Sequence, residues 1–171
     1  AGFSQSGKKN TLIGFKSGMN AGDENCYLGY KSGIDSKGGK NTIMGFESGM
    51  KAGSKNCYFG YKSGIDSGEK NTIMGFESGT NIKNNNVVIG DSSLTSEGDI
   101  KNNVVVGSNS GKEIKSSGNV YIGHRSGEFN EGTDNIIIGE LAQSFFNKDT
   151  GENNTNKTKM NVIIGKGAAQ N

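Results

Sequence analysis

Short apolar triplets recur along the chain, each preceded by an asparagine and followed by a glycine. The pattern occurs ten times, and successive glycines are 15, 16, 15, 15, 15, 17, 16, 16 and 26 residues apart. A repeat of this length is too short to enclose a core by itself, so we expect the repeats to stack on one another. The asparagines are Asn10, Asn25, Asn41, Asn56, Asn71, Asn86, Asn103, Asn119, Asn135 and Asn161. The glycines are Gly14, Gly29, Gly45, Gly60, Gly75, Gly90, Gly107, Gly123, Gly139 and Gly165.

Each triplet predicts a short β-strand, because β-branched and aromatic residues fill it and turn-forming residues flank it. Alternate strand residues face opposite sides, and here both sides are apolar or small. One side can be buried inside the solenoid, whereas the other needs a covering layer, most economically a second copy of the chain. The sequence therefore predicts a homo-oligomer. We assign the middle residues to the shared side, so Val105→Asp or Ile137→Asp is expected to block assembly.

The residues that flank each triplet predict its turns. The asparagines are expected to form a column in which side-chain amides donate to and accept from neighbouring repeats. The glycine after the triplet is expected to allow a bend or a close backbone approach. In seven repeats a Ser-Gly pair follows two residues later, while Ala142 and Ala168 replace the serine in two others. Small size is thus the requirement there, and the second glycine suits a positive φ.

Composition alone would suggest disorder, since only 30% of residues are hydrophobic, 29 are glycine and the mean hydropathy is -0.61. The regular spacing of the triplets outweighs that signal. The net charge of +2 does not favour nucleic-acid binding. No apolar run reaches the ~20 residues that cross a bilayer, so we do not expect this segment to insert into a membrane.

Candidate chemistry is sparse. No constellation of nucleophile, base and acid is present, so the sequence predicts no enzyme, no catalytic residues and no cofactor. His124 is the only histidine and has no cluster of metal ligands around it, so no metal site is expected. Cys26 and Cys57 hold the same position two repeats apart, a distance of ~10 Å, which exceeds the reach of a disulfide. We expect both cysteines to be small buried hydrophobes.

The repeats resemble the head repeats of trimeric autotransporter adhesins (the YadA-like head), and equally the repeats of viral and phage tail fibres. The matching segments have a small or branched residue, two apolar residues and glycine, followed by serine or alanine: Thr11–Gly14 with Ser17, Val87–Gly90 with Ser93, and Val162–Gly165 with Ala168. The resemblance implies a left-handed parallel β-roll of three chains around one axis, on an extracellular fibre at a cell or virion surface.

Together these features predict an all-β fold, a parallel β-roll of about ten coils of 15–16 residues, with residues 1–171 as one repeat domain. The first four residues look like the end of an interrupted repeat, so the chain is expected to be a piece of a longer fibre. We expect its partners to be copies of itself, both around the axis and end to end, with a host-cell or matrix receptor as a further candidate.

Two columns are expected on the outer surface. The residue after the glycine is aromatic in the first half and polar in the second. The aromatic column is either a platform that faces a ligand or a set of side chains that pack at the corners of the coils or between subunits. In the next column Lys62 is expected to lie between Glu47 and Glu77 and to form axial ion pairs. The first column reads Phe15, Tyr30, Phe46, Tyr61, Phe76, Asp91, Ser108, His124, Glu140 and Lys166.

The 26-residue step predicts an inserted loop at 140–160. Phe145 and Phe146 in this loop either pack against a neighbouring chain or form a binding surface. Asn153 and Asn156 match the acceptor pattern for N-glycosylation, a short motif that is expected by chance in an Asn-rich segment.

These features predict a structural and adhesive fibre segment that attaches to cells or matrix. An alternative is the shaft of a virion or phage tail fibre that acts in host attachment. A third is an ice-binding β-solenoid, a function that favours a flat Thr-rich face, although Thr11, Thr42 and Thr72 recur only on alternate repeats.

Overall fold

The computed structural model describes residues 7–96, 98–143 and 159–169, and no helix occurs in these ranges. The ten predicted triplets are the strands of the fold, with three residues each. Their bounds are β1 Thr11–Ile13, β2 Cys26–Leu28, β3 Thr42–Met44, β4 Cys57–Phe59, β5 Thr72–Met74, β6 Val87–Ile89, β7 Val104–Val106, β8 Val120–Ile122, β9 Ile136–Ile138 and β10 Val162–Ile164.

The ten strands form one parallel sheet in which every strand pairs with its neighbours in sequence. The register is uniform, so that the first residue of each triplet lies opposite the first residue of the next, as Thr11 lies opposite Cys26. Even across the 26-residue step, β9 and β10 pair directly, with Ile136 opposite Val162. The chain is therefore a parallel β-solenoid, as the spacing of the triplets predicts.

The asparagine column is continuous from Asn10 to Asn161. In each step the side-chain oxygen of one asparagine accepts a hydrogen bond from the backbone N–H of the next, as in Asn41 Oδ1 to Asn56 N at 2.8 Å. The side-chain amide of Asn56 also donates to the backbone oxygen of Gly68 at 2.9 Å. Each amide thus satisfies buried backbone groups at the strand entrance, which confirms the predicted column.

The glycines that follow the strands form a second column, in which each lies against the same glycine of the next repeat. A Cβ built on Gly45, which has φ +143°, would lie 1.9 Å from the carbonyl oxygen of Gly60. No side chain fits at that distance, so the backbones approach as closely as only glycine permits. The same overlap with the next glycine of the column occurs at Gly14, Gly29, Gly60, Gly75, Gly90, Gly107, Gly123 and Gly139.

The last glycine of the column differs from the other nine. A Cβ on Gly165 would meet only Ala168 at 3.7 Å, an ordinary contact, because no further described repeat stacks on it. All ten glycines nevertheless share a positive φ of 125–155°, a conformation that a side chain strains. The predicted close approach is therefore confirmed for nine glycines, and Gly165 keeps the backbone conformation without the contact.

The interior is filled by the middle residue of each strand. Tyr27, Ile43, Tyr58 and Ile73 are completely buried. Apolar side chains from outside the strands complete this core: Ala21, Ala52, Ile82, Leu94, Ile100, Ile114 and Ala142.

Small polar residues also lie in the interior, where Ser36 and Ser67 are buried. The hydroxyl of Tyr58 lies 2.5 Å from Ser67 Oγ. The small polar serine therefore packs beside the large tyrosine ring in the same repeat. Burial raises the pKa of Tyr58 and of Tyr121.

The orientation of the strands corrects one expectation. Val105 and Ile137 are middle residues and are fully buried inside the solenoid, not on the side that a second chain could cover. The side left uncovered carries the first and third residues of each triplet. The sequence could not distinguish the two sides, because both are apolar.

A further turn position carries no sequence signal. The residue two places after the glycine is left-handed in all ten repeats, although it is glycine only at Gly167. Glu47 has φ 50° and Lys62 has φ 49°. The backbone N–H of Lys62 donates to the oxygen of Phe46 at 2.8 Å, so bonds between repeats hold a conformation that costs a non-glycine residue ~1–2 kcal/mol.

Candidate functional site

The main candidate site is the uncovered side of the sheet, which we call the outward face. Twenty side chains form it, and none is charged or fully buried in the single chain. Val104 is 37% exposed, Ile136 40% and Ile164 67%. The outward face consists of Thr11, Ile13, Cys26, Leu28, Thr42, Met44, Cys57, Phe59, Thr72, Met74, Val87, Ile89, Val104, Val106, Val120, Ile122, Ile136, Ile138, Val162 and Ile164.

The outward face is a long and narrow strip. Ten strands ~4.8 Å apart give a length of ~43 Å, and three residues per strand give a width of ~10 Å. Because the register is uniform, each column of the strip is made of equivalent residues from successive strands. An apolar strip of this kind is unusual on a surface that stays in contact with water, and it is typical of an interaction surface.

An aromatic ladder lies next to the outward face, one residue beyond the glycine column. Its members are stacked with ring centroids 5.5, 4.8, 5.2 and 4.9 Å apart and interplanar angles of 9–14°. The side chains remain 36–59% exposed. The members are Phe15, Tyr30, Phe46, Tyr61 and Phe76.

Lysines line the aromatic ladder. The amines of Lys31 and Lys62 each lie 5.1 Å from the ring centroid of the preceding tyrosine. Lys31 also forms an ion pair with Glu47 at 3.0 Å, and this hydrogen bond raises the pKa of Lys31. The expected axial pairs of Lys62 are not formed: among the described residues no ion pair joins it to Glu47 or Glu77, because its amine lies against the Tyr61 ring.

The ladder ends where the same column becomes polar, at Asp91. Further along this column Glu140 pairs with Lys166 at 2.9 Å, and the lysine holds the pKa of that carboxyl below its usual range. The two halves of the chain therefore differ in the width of their apolar surface. The outward face runs the whole length, but the ladder flanks only the first five strands.

The cysteines lie on the outward face, which corrects the expectation that they are buried. Cys26 is exposed and Cys57 is partly exposed, and both thiols are free. Their separation of two strands agrees with the absence of a disulfide between them. Thr11, Thr42 and Thr72 alternate with them at the same strand position, so the outward face has no unbroken threonine column.

Several candidate residues fall outside the described ranges, namely Phe145, Phe146, Asn153 and Asn156 in the expected loop at 140–160. Within the ranges that are described, no three His, Cys, Asp or Glu side chains come together in a group that could hold a metal ion. None of the described residues belongs to a helix that could span a bilayer. His124 lies in the ladder column, where its backbone oxygen accepts from Leu141 N at 2.9 Å.

Comparisons with protein-family models, curated proteins and solved structures returned no match. The fold shows that the chain is a parallel β-solenoid. Any function of the outward face is therefore inferred from the geometry of that face alone.

Proposed function

We propose that the chain is a segment of a surface-exposed homotrimeric fibre that acts in attachment to cells or matrix. The observation that supports this proposal is the outward face, an uncharged strip that runs along all ten strands. Three copies that place this strip along a common axis bury it from end to end. The solenoid then extends the filament and presents its outer surface for attachment.

The composition of the outward face suits copies packed parallel and in register. Around a symmetry axis that runs along the solenoid, every residue lies at the same level as its copies in the other chains, and residues next to the axis meet the same residue. A charged residue would then meet its own charge in a dry environment, at a large cost. All twenty positions avoid this, since they hold only threonine, cysteine and apolar residues.

The finer features belong to the same proposal. A left-handed roll of about ten coils, three chains per fibre and end-to-end continuation are what the resemblance to fibre repeats implies. An extracellular location, at a cell or virion surface, follows from the same resemblance. The uniform parallel register supports stacking along one axis, because each repeat ends in the geometry in which the next begins.

Sedimentation equilibrium tests the assembly. The folded chain is expected to sediment at three times its mass of 18.0 kDa. Val104→Asp places a carboxylate on the outward face and is expected to give a folded single chain. Asn81→Asp adds the same charge at an exposed residue away from the strip and is expected to leave the trimer intact. A wild-type chain that is folded and monomeric at all concentrations would refute the proposal.

Attachment is tested separately on beads coated with the assembled chain. The beads are expected to adhere to cell monolayers or to a panel of extracellular-matrix proteins, while beads carrying Val104→Asp adhere less. A trimer that adheres to neither surface would contradict the adhesive role and would favour the alternative, a fibre shaft whose binding tip lies elsewhere.

A further inference from the structure

We infer that the aromatic ladder is part of the contact between subunits, so that the chains associate over a wider surface in the first half of the solenoid than in the second. This inference rests on the proposed homotrimer and names the second surface by which its chains meet. Its occupant is another copy of this chain.

The stacking of the rings decides against a flat ligand. The centroids of neighbouring rings are 4.8–5.5 Å apart and nearly parallel, so each ring covers the face of the next. A sugar or a base binds an aromatic residue through the ring face. Only the end faces, at Phe15 and Phe76, have no neighbouring ring of the ladder over them. The ladder presents ring edges along its length, which suit packing against another protein surface.

The axial spacing favours a second copy. The rings repeat at the strand spacing of the solenoid, ~4.8 Å, because each ring belongs to one repeat. A partner that makes an equivalent contact with every ring needs the same repeat along the same axis. A parallel copy of this chain has it, and the proposed in-register arrangement aligns the two repeats without further adjustment.

The area needed for a stable contact points the same way. A stable interface of ordinary size buries ~800 Å² of accessible surface per partner. Five aromatic side chains of ~200 Å² each, exposed by 36–59%, add on the order of 450 Å². The ladder lies beside the strip, so one partner can cover both.

Hydroxyl-radical footprinting read by mass spectrometry tests this contact ring by ring. Tyr30 and Tyr61 are 39% and 36% exposed in the single chain, whereas Tyr27, Tyr58 and Tyr121 are fully buried and serve as internal controls. In the assembled wild-type chain, Tyr30 and Tyr61 are expected to be modified several-fold more slowly than in the unassembled Val104→Asp variant. Equal rates in the two samples would overturn the inference.

A matched pair of variants gives an independent measurement. Phe46→Asp, in the middle of the ladder, is expected to raise the dissociation constant of the assembly by about tenfold or more. Ser108→Asp introduces the same charge in the same column beyond the ladder and is expected to leave association unchanged. Circular dichroism establishes that both variants are folded. Equal effects of the two substitutions would contradict the inference.

The outcomes separate this inference from the proposed function. If the wild-type chain never assembles, the proposed homotrimer itself is refuted. If the wild-type chain assembles while Tyr30 and Tyr61 remain as reactive as in Val104→Asp, the homotrimer stands and only the ladder contact is refuted. If soluble polysaccharide then protects the ladder of the assembled chain, its occupant is a glycan and the inference is wrong.

Discussion

At the scale of single residues, glycine and asparagine set the stacking of the repeats. The asparagine amides bond the backbone of the next repeat, as Asn71 Oδ1 accepts from Asn86 N at 2.8 Å. The glycine after a strand lets two backbones meet without a side chain between them, as Gly75 meets Gly90. These two residues explain why the triplet pattern keeps its boundaries while the apolar residues within it vary.

The glycine column makes a prediction about stability. Gly45→Ala is expected to lower the free energy of unfolding by roughly 3 kcal/mol or more, because its Cβ would overlap the Gly60 carbonyl and its φ is strained. Gly98→Ala has a similar φ of +134° but nothing within 4 Å of its Cβ. It is expected to cost only the backbone strain of ~1–2 kcal/mol. Urea denaturation at fixed chain concentration measures both, and equal losses would contradict the steric explanation.

At the scale of the strand, alternation decides what each apolar residue does. Val104 and Val105 are neighbours of the same type in β7, yet Val104 is 37% exposed and Val105 is fully buried. The interior position packs against the core, and the outward position is free to contact a second chain. Identical side chains one residue apart therefore have different roles.

The same substitution is expected to have different effects at Val104 and at Val105. Val105→Asp is expected to lower the free energy of unfolding by several kcal/mol, because it buries an unpaired carboxylate in the core. Val104→Asp is expected to preserve the β circular dichroism spectrum of the wild type and to lose only assembly. Spectra and denaturation curves of the two variants provide the comparison. Loss of structure in Val104→Asp but not in Val105→Asp would mean that the strand faces are reversed.

At the scale of the whole molecule, the uniform register of the sheet determines how copies can meet. Cys26 and Cys57 lie on the outward face and are free. In the proposed parallel, in-register fibre, each thiol lies beside the same thiol of another chain. Within one chain they are ~10 Å apart, too far to join.

Thiol crosslinking tests this register. Diamide accepts two electrons and two protons from a pair of thiols, which join as a disulfide while the reagent becomes a hydrazine. The Cys57→Ser variant is expected to form covalent dimers through Cys26, and Cys26→Ser dimers through Cys57. Non-reducing electrophoresis and mass spectrometry identify the linked peptides. In the wild-type chain, disulfides that join Cys26 to Cys57 of another chain, in place of Cys26–Cys26 and Cys57–Cys57 links, would show a shifted or antiparallel arrangement.

The sequence by itself determined the strands and their stacking. The spacing of asparagine and glycine located all ten triplets, including Val162–Ile164 beyond the long step, because turn chemistry and β-prone residues are local signals. It also identified the asparagine column, the close approach of the glycines and the aromatic column, since equivalent residues of stacked repeats must become neighbours.

Only the tertiary structure decided which side of each strand faces inward. Val105 proved to be interior and Cys26 exposed, the reverse of what we expected from the sequence. A triplet that is apolar on both sides does not reveal which side faces the core, because the turns that close each repeat determine that direction. The left-handed backbone at Lys62 and the contact of its amine with the Tyr61 ring could not be predicted from the sequence either. They depend on hydrogen bonds and stacking between repeats, which no single repeat contains.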